Sequence, residues 1–355
     1  MPRIATYREL FAYTAWARDK VLAAAAPLTD EQLDRPFEMG EGSLRATIRH
    51  LYGSERLWYE RWQQCAGRDI PFPHARELTT VAEIRAAHTS LAAARDSAVT
   101  QLADADLDPV IRYVPPDGDP RAYPLGEILL HVVNHGVHHR AQALNMLRHL
   151  GADLPKPGLD YIFMKVQEQQ QGAGAAATGA ADLVAVRAYY RYSDWARRRV
   201  YAAATPLADA PLDRPFEMGR GTLRATLSHM RDAEHWWLQN WTCGPGQPFP
   251  TAAERVSVAG LTRLFDETVA QRSDLLAGLG AADLQKPVSA EPRPGLRLTF
   301  PLGVTMLQLC MHGTHHRAQA LNMLRHVGGD VPGLDYVVML REQLMAAATR
   351  PPERS

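Results

Sequence analysis

Six histidines at a repeated spacing are the residues in this chain best suited to chemistry. His135 and His139 stand four positions apart. On a helix that spacing stacks two imidazoles on one face, where they can share a cation. His312 and His316 repeat the relation. A third imidazole lies far upstream of each pair, among apolar neighbours: His50 beside Ile48 and Leu51, His229 beside Leu227 and Met230. Three imidazoles converging from two helices would hold a divalent ion and leave a position for water or substrate. A lone His on an apolar face is usually a hydrogen-bonded core residue, and one i, i+4 pair is a weak signal. The weight here comes from the same triad standing twice in a chain whose copies otherwise differ widely. His138 and His315 follow one step along, turned by about 100°, and are expected to face away from the ion, toward the pocket wall or the other copy. His149 and His326 fall at a helix C-terminus, where the dipole suffices as a role. His74, His88, His131 and His235 have no counterpart, and Gln308 aligned with His131 argues against a ligand there.

The elements that carry these residues occur twice in the chain. The segment from Asp34 to Gly40 (DRPFEMG) recurs unchanged from Asp213 to Gly219, an offset of 213 − 34 = 179. The segment from His138 to His149 (HHRAQALNMLRH) recurs from His315 to His326, an offset of 315 − 138 = 177. The segment from Pro157 to Tyr161 (PGLDY) recurs from Pro332 to Tyr336. A period this long is a whole domain, not a solenoid unit of roughly 20–50 residues. We place copy one at residues 1–171, a flexible Gly/Ala linker at 172–181 and copy two at 182–350. Within copy one, residues at roughly helical spacing (Tyr7, Leu10, Phe11, Thr14, Trp16, Val21, Leu22) predict a helix ending before Pro27. Further helices are predicted over 44–62, 81–102 (rich in Ala), 125–150 and 161–170. The stretch from Val110 to Gly118 alternates and ends in a turn signal, so it predicts a short hairpin or extended connection, with a counterpart around Arg293 to Phe300. The fold class is therefore all-α: two tandem four-helix bundles.

Bulk properties narrow the function. The chain of 355 residues is 46% apolar, enough for two cores. Its 39 basic and 39 acidic residues balance, which removes the electrostatic motive for binding nucleic acid or an anionic membrane. Three cysteines (Cys65, Cys243, Cys310), none in a C-x-x-C pair, speak against a disulfide framework and for a cytoplasmic setting. No apolar run approaches the ~18 residues of a membrane span.

At the histidines the sequence resembles the DinB/YfiT-like superfamily of metal-binding four-helix bundles. The resemblance rests on His50 with the segment from His135 to Gln142 (HGVHHRAQ), and on His229 with the segment from His312 to Gln319 (HGTHHRAQ). It is supported by the early tryptophan segments from Tyr13 to Ala17 and from Tyr192 to Ala196. The recurring H-x4-E-x2-W pattern (His50, Glu55, Trp58; His229, Glu234, Trp237) adds to it. It covers nearly the whole chain, twice. It implies one zinc, nickel or similar ion per domain, held by His50, His135 and His139 and by His229, His312 and His316. It also implies a thiol S-transferase or thiol-dependent isomerase using a low-molecular-weight thiol such as bacillithiol, mycothiol or glutathione. Dimers are common in the superfamily, so a tandem chain is expected to pack as an intramolecular pseudo-dimer, a monomer or at most a weak homodimer. The iron-binding branch with H-x3-H-x-E is disfavoured, because Ala141 and Ala318 stand at the glutamate position.

The expected activity is metal-assisted attack on a small electrophile by a thiol, or, as alternatives, hydrolysis by a metal-activated water or non-catalytic metal or ligand binding. Glu55 and Glu234 are candidate proton shuttles, with a solvated helix position as the plainer reading. Gln142 and Gln319 are placed to hydrogen-bond a ligand imidazole or to bridge helices. Arg140 and Arg317 are expected to form a salt bridge within the bundle, with an anionic cofactor as the alternative. Trp58 and Trp237 are core residues or substrate platforms. Asn134 precedes the first helix-four ligand, where copy two has Met311, so the two sites are expected to differ in what they accept.

Overall fold

The computed structural model describes residues 3–64, 72–115, 118–172, 180–250, 256–293 and 295–348. The first half runs α1 (Arg3–Ala25), the short α2 (Asp30–Asp34), α3 (Leu44–Gln64) and α4 (Val81–Gln101). A hairpin of β1 (Val110–Tyr113) and β2 (Arg121–Pro124) leads into α5 (Leu125–His149) and α6 (Tyr161–Gln170). The second half repeats this order: α7 (Leu183–Ala204), α8 (Asp209–Leu212), α9 (Leu223–Thr242), α10 (Val258–Gly278), β3 (Pro287–Arg293), β4 (Leu296–Pro301), α11 (Leu302–His326) and α12 (Tyr336–Ala348). The central residues 173–179 of the expected linker, and Cys65, lie outside the described residues.

Helix starts follow local chemistry. Thr80 caps α4, its hydroxyl accepting from Glu83 N while the Glu83 carboxylate takes the Thr80 N–H. Thr222, Ser257 and Asp182 cap α9, α10 and α7 through their side-chain oxygens. The sequence reading passed over α2 and α8, each only about a turn long. Both are tied down by one arginine: Arg45 pairs with Asp30 and Asp34, and Arg224 with Asp209 and Asp213. Each alternating stretch forms an antiparallel hairpin, with Ile111 opposite Tyr123 and Val288 opposite Phe300. The second hairpin begins at Pro287, earlier than the expected Arg293.

In the first half α1 and α3 each pack on α4 and α5, closing a ring of four helices with apolar stripes inward. Leu10, Phe11, Leu22, Ile48, Ile84, Val99 and Val133 are buried there, each contributing about 1.5–3 kcal/mol of burial free energy. In the second half α7 and α9 close the same ring with α10 and α11. No helix among the described residues is long and apolar enough to cross a membrane.

The two halves meet along α5 and α11, with α12 against α5 and α6 against α11. That double duty explains why α5 buries residues on nearly every side, including Ile128, Leu129 and Leu130 in succession. Across the contact Thr314 donates to Asn134 Oδ1 at 2.8 Å. At its ends the contacts are reciprocal. Arg148 donates to Glu217 O at 3.3 Å and Arg325 to Glu38 O at 3.1 Å. His149 Nδ1 lies 3.5 Å from Glu217 Oε2, and His326 Nδ1 lies 3.2 Å from Glu38 Oε2.

Candidate metal centres

The six predicted ligands come together as two groups of three. His50 on α3 meets His135 and His139 on α5, and His229 on α9 meets His312 and His316 on α11. In each group one nitrogen of every ring lies within 4.8 Å of the others. His50 Nε2 and His135 Nε2 are 3.2 Å apart, and His229 Nε2 and His312 Nε2 are 3.1 Å apart. Ligand nitrogens about 2.0–2.1 Å from a tetrahedral ion stand about 3.3 Å from each other, so the spacing suits a shared divalent cation. Gly136 and Gly313 follow the first α5 and α11 ligands and let the next turn close in. A Cβ at Gly136 would lie 2.7 Å from the Arg140 guanidinium.

The protonation states suit the same purpose. Burial pushes His50, His135, His139 and His316 below the ordinary imidazole value, and His229 down to about 3. Neutral rings keep their lone pairs for a metal. Gln319 holds two rings at once: its Oε1 accepts from His316 Nδ1 at 2.7 Å, and its Nε2 donates to His315 Nε2 at 2.9 Å. The first bond leaves His316 Nε2 for the triad. Gln142 Nε2 donates to His138 Nε2 at 3.0 Å. His138 and His315, both pushed down to about 4 by burial, stand beside the triad in these glutamine contacts.

Several expectations need correction. Glu55 is buried in an ion pair with Arg95, and Glu234 in one with Arg272, which also bonds Asp194. Burial raises the Glu234 carboxyl against the pull of Arg272. Carboxylates held in this way join helices within each bundle and are poorly placed to shuttle protons, and neither is a solvated helix position. Arg140 and Arg317 lie over the rings of Tyr13 and Tyr192, at 5.3 and 5.4 Å from the centroids. These cation–π contacts stand where a salt bridge was expected. Asn134 spends its carbonyl oxygen on Thr314 of the other half. Trp58 sits edge-on between Tyr113 and His131 in the core, whereas Trp237 lines an open cavity.

The sequence reading missed two carboxylates. Asp160 Oδ1, from the first half, lies 3.5 Å from Nδ1 of His312 in the second half. Asp335 Oδ1, from the second half, lies 2.9 Å from Nδ1 of His131 in the first. Burial alone would raise both, but the facing imidazoles hold Asp160 down at about 2 and Asp335 lower still. The only signal was that both stand in the unchanged PGLDY block. His131 and its counterpart Gln308 now have a shared role: each meets the other half's aspartate loop. Gln308 Oε1 accepts from Ile162 N at 2.9 Å.

Each triad opens on a cavity. In the first half, about 300 Å³ is enclosed by Asn134, His135, His138, His139, Gln142 and, from the second half, the segment from Val331 to Asp335. In the second, about 400 Å³ is walled by Trp236, Trp237, Phe249, Leu296 and Leu298, with His229, His312, Asp160 and Arg220. Glu41 stands at the position equivalent to Arg220, with Oε1 3.6 Å from His50 Nδ1. A charge reversal thus separates the two sites, at residues the sequence reading did not single out.

No curated protein gives a significant match to the chain. The model of the DinB family matches residues 1–172 and again residues 181–352. With the same bundle formed twice and the same three histidines gathered in each, the chain belongs to the DinB family and carries its domain in tandem.

Proposed function

We propose that each half holds one divalent cation, zinc or nickel, and that the protein is a metal-dependent enzyme joining a low-molecular-weight thiol to a small electrophile, or isomerising the electrophile through that thiol. The observation that carries this reading is the convergence of three imidazoles from two helices in each half, with Nε2 atoms 3.2 and 3.1 Å apart. When bound, such an ion supplies a Lewis acid that lowers the pKa of a thiol or water beside it. The chain's own residues supply the rest. Neutral imidazoles leave the full cationic charge in place. The walls of Trp236, Trp237 and Phe249 exclude water and suit an apolar, planar substrate. Glu41 beside His50 and Arg220 in the wall of the second-half cavity give the two metal sites opposite local charge. The reciprocal contacts of α5 and α11 support packing as an intramolecular pseudo-dimer acting as a monomer.

The test is elemental analysis of the purified chain, then turnover of a model electrophile with a panel of low-molecular-weight thiols. Two ions per chain are expected, falling to one in His139→Ala and to one in His316→Ala. Thiol-dependent turnover is expected to fall with them while the helical circular dichroism stays. Turnover of an ester without thiol makes it a hydrolase, and metal without turnover makes it a binding module. A chain that carries no metal and shows no thermal shift with zinc overturns the reading.

A further inference from the structure

We propose that the two metal sites are completed across the halves: Asp160 of the first half positions a ligand of the second-half site, and Asp335 of the second half does so for the first. This rests on the metal reading above and is tested separately from it.

The second-half site shows the arrangement most directly. His312 turns Nε2 toward His229 Nε2 and presents Nδ1 to Asp160 Oδ1. A carboxylate on Nδ1 keeps the proton on that nitrogen and fixes the ring plane, so that Nε2 offers its lone pair. Asp160 lies behind the imidazole, not among the nitrogens that converge, so it orients a ligand without being one. Two contacts hold it there. Within its own half, Tyr13 Oη donates to Leu159 O at 2.9 Å. From the other half, Gln308 accepts from Ile162 N at 2.9 Å.

The first-half site uses the same loop with one change. Tyr192 Oη donates to Leu334 O at 2.7 Å, the counterpart of Tyr13 on Leu159. Asp335 then reaches His131, one turn before His135, in place of the ligand itself. The rings of His131 and His135 have centroids 5.6 Å apart. Asp335 also lines the cavity that holds His135, His138 and His139, so its charge acts on that site through His131 and through space. Asp160 and Asp335 thus each serve the other half's site, whereas Glu41, which faces His50 Nδ1 at 3.6 Å, acts within its own half.

The experiment uses full-length chains with one site removed. His139→Ala leaves the second-half site and His316→Ala leaves the first. Zinc affinity is measured by competition with a chromophoric chelator, and cobalt(II) absorption reports ligand geometry. Adding Asp160→Asn to His139→Ala is expected to weaken zinc binding about 10–100-fold and to shift the cobalt spectrum. Adding it to His316→Ala is expected to change neither, although Asp160 belongs to the same half as the site then measured. Asp335→Asn is expected to show the opposite pattern, with the smaller effect because His131 stands between. A loss confined to the aspartate's own half, equal losses in both backgrounds, or no loss at all overturns the proposal and leaves the metal reading standing. Failure of both single-site backgrounds to bind zinc removes the metal reading, and the proposal with it.

Discussion

His88 on α4 shows how one residue can set the acid limit of the fold. It is 2% exposed, edge-on to Tyr52, and burial with Arg18 nearby pushes its imidazole down to about 3. The unfolded chain protonates such a group near its ordinary value of 6.5, whereas the folded chain resists until about 3. Stability is therefore intact above pH 6.5 and is lost as the pH falls toward 3. At pH 5 the loss from this group is about 2 kcal/mol. The second half has Phe265 at the equivalent place, with the Arg197 guanidinium 4.6 Å from its ring. His88→Phe is expected to shrink the stability difference between pH 7 and pH 5 by about that amount, read by urea unfolding at both. An unchanged difference would sink the assignment.

At the scale of elements, α3 is shaped to carry a ligand and the segment that covers it. Gly53 lies three residues past His50, and a Cβ there would sit 2.3 Å from Pro73 O and 3.2 Å from Phe72. Phe72 in turn stacks on His50, with ring centroids 5.3 Å apart and planes at 21°. The backbone carbonyl cannot swing aside as a side-chain tip can, so Gly53→Ala must lift the covering segment. The expected cost is about 1–3 kcal/mol in thermal unfolding, with zinc stoichiometry retained because α3 itself stays helical. Full stability in that variant would mean the segment does not rest on α3. In half two, where Asp232 stands at the equivalent position, Phe249 approaches His229 less closely, at 5.8 Å.

Across the whole molecule, the three blocks left unchanged between copies are the ones that join the halves. The DRPFEMG loops receive Arg148 and Arg325, the HHRAQALNMLRH segments supply those arginines, and the PGLDY loops supply Asp160 and Asp335. A contact that each half makes with the other's copy of the same residues constrains both copies alike. With the apolar faces of α5 and α11 shared, unfolding one half exposes the other. Calorimetry of the full chain is expected to show one transition, raised by zinc by about 2.7 kcal/mol for each occupied site at a hundredfold excess over Kd. Two separate peaks would mean the halves stand independently.

Much of this was legible from sequence because it is local. The duplication, the bounds of the long helices and the i, i+4 pairing of His135 with His139 follow from periodicity and capping, which act within a few turns. His50 as third ligand needed only the assumption of a closed bundle. Tertiary structure decided what depends on contacts between distant segments. His312 and Asp160 are 152 positions apart, and no periodicity links them. Nor could spacing reveal that Arg95 and Arg272 claim Glu55 and Glu234, or that Thr314 claims Asn134. Apolar patterning tells a side chain which face to bury; which partner it finds depends on where another helix, from the same half or the other, places its polar atoms.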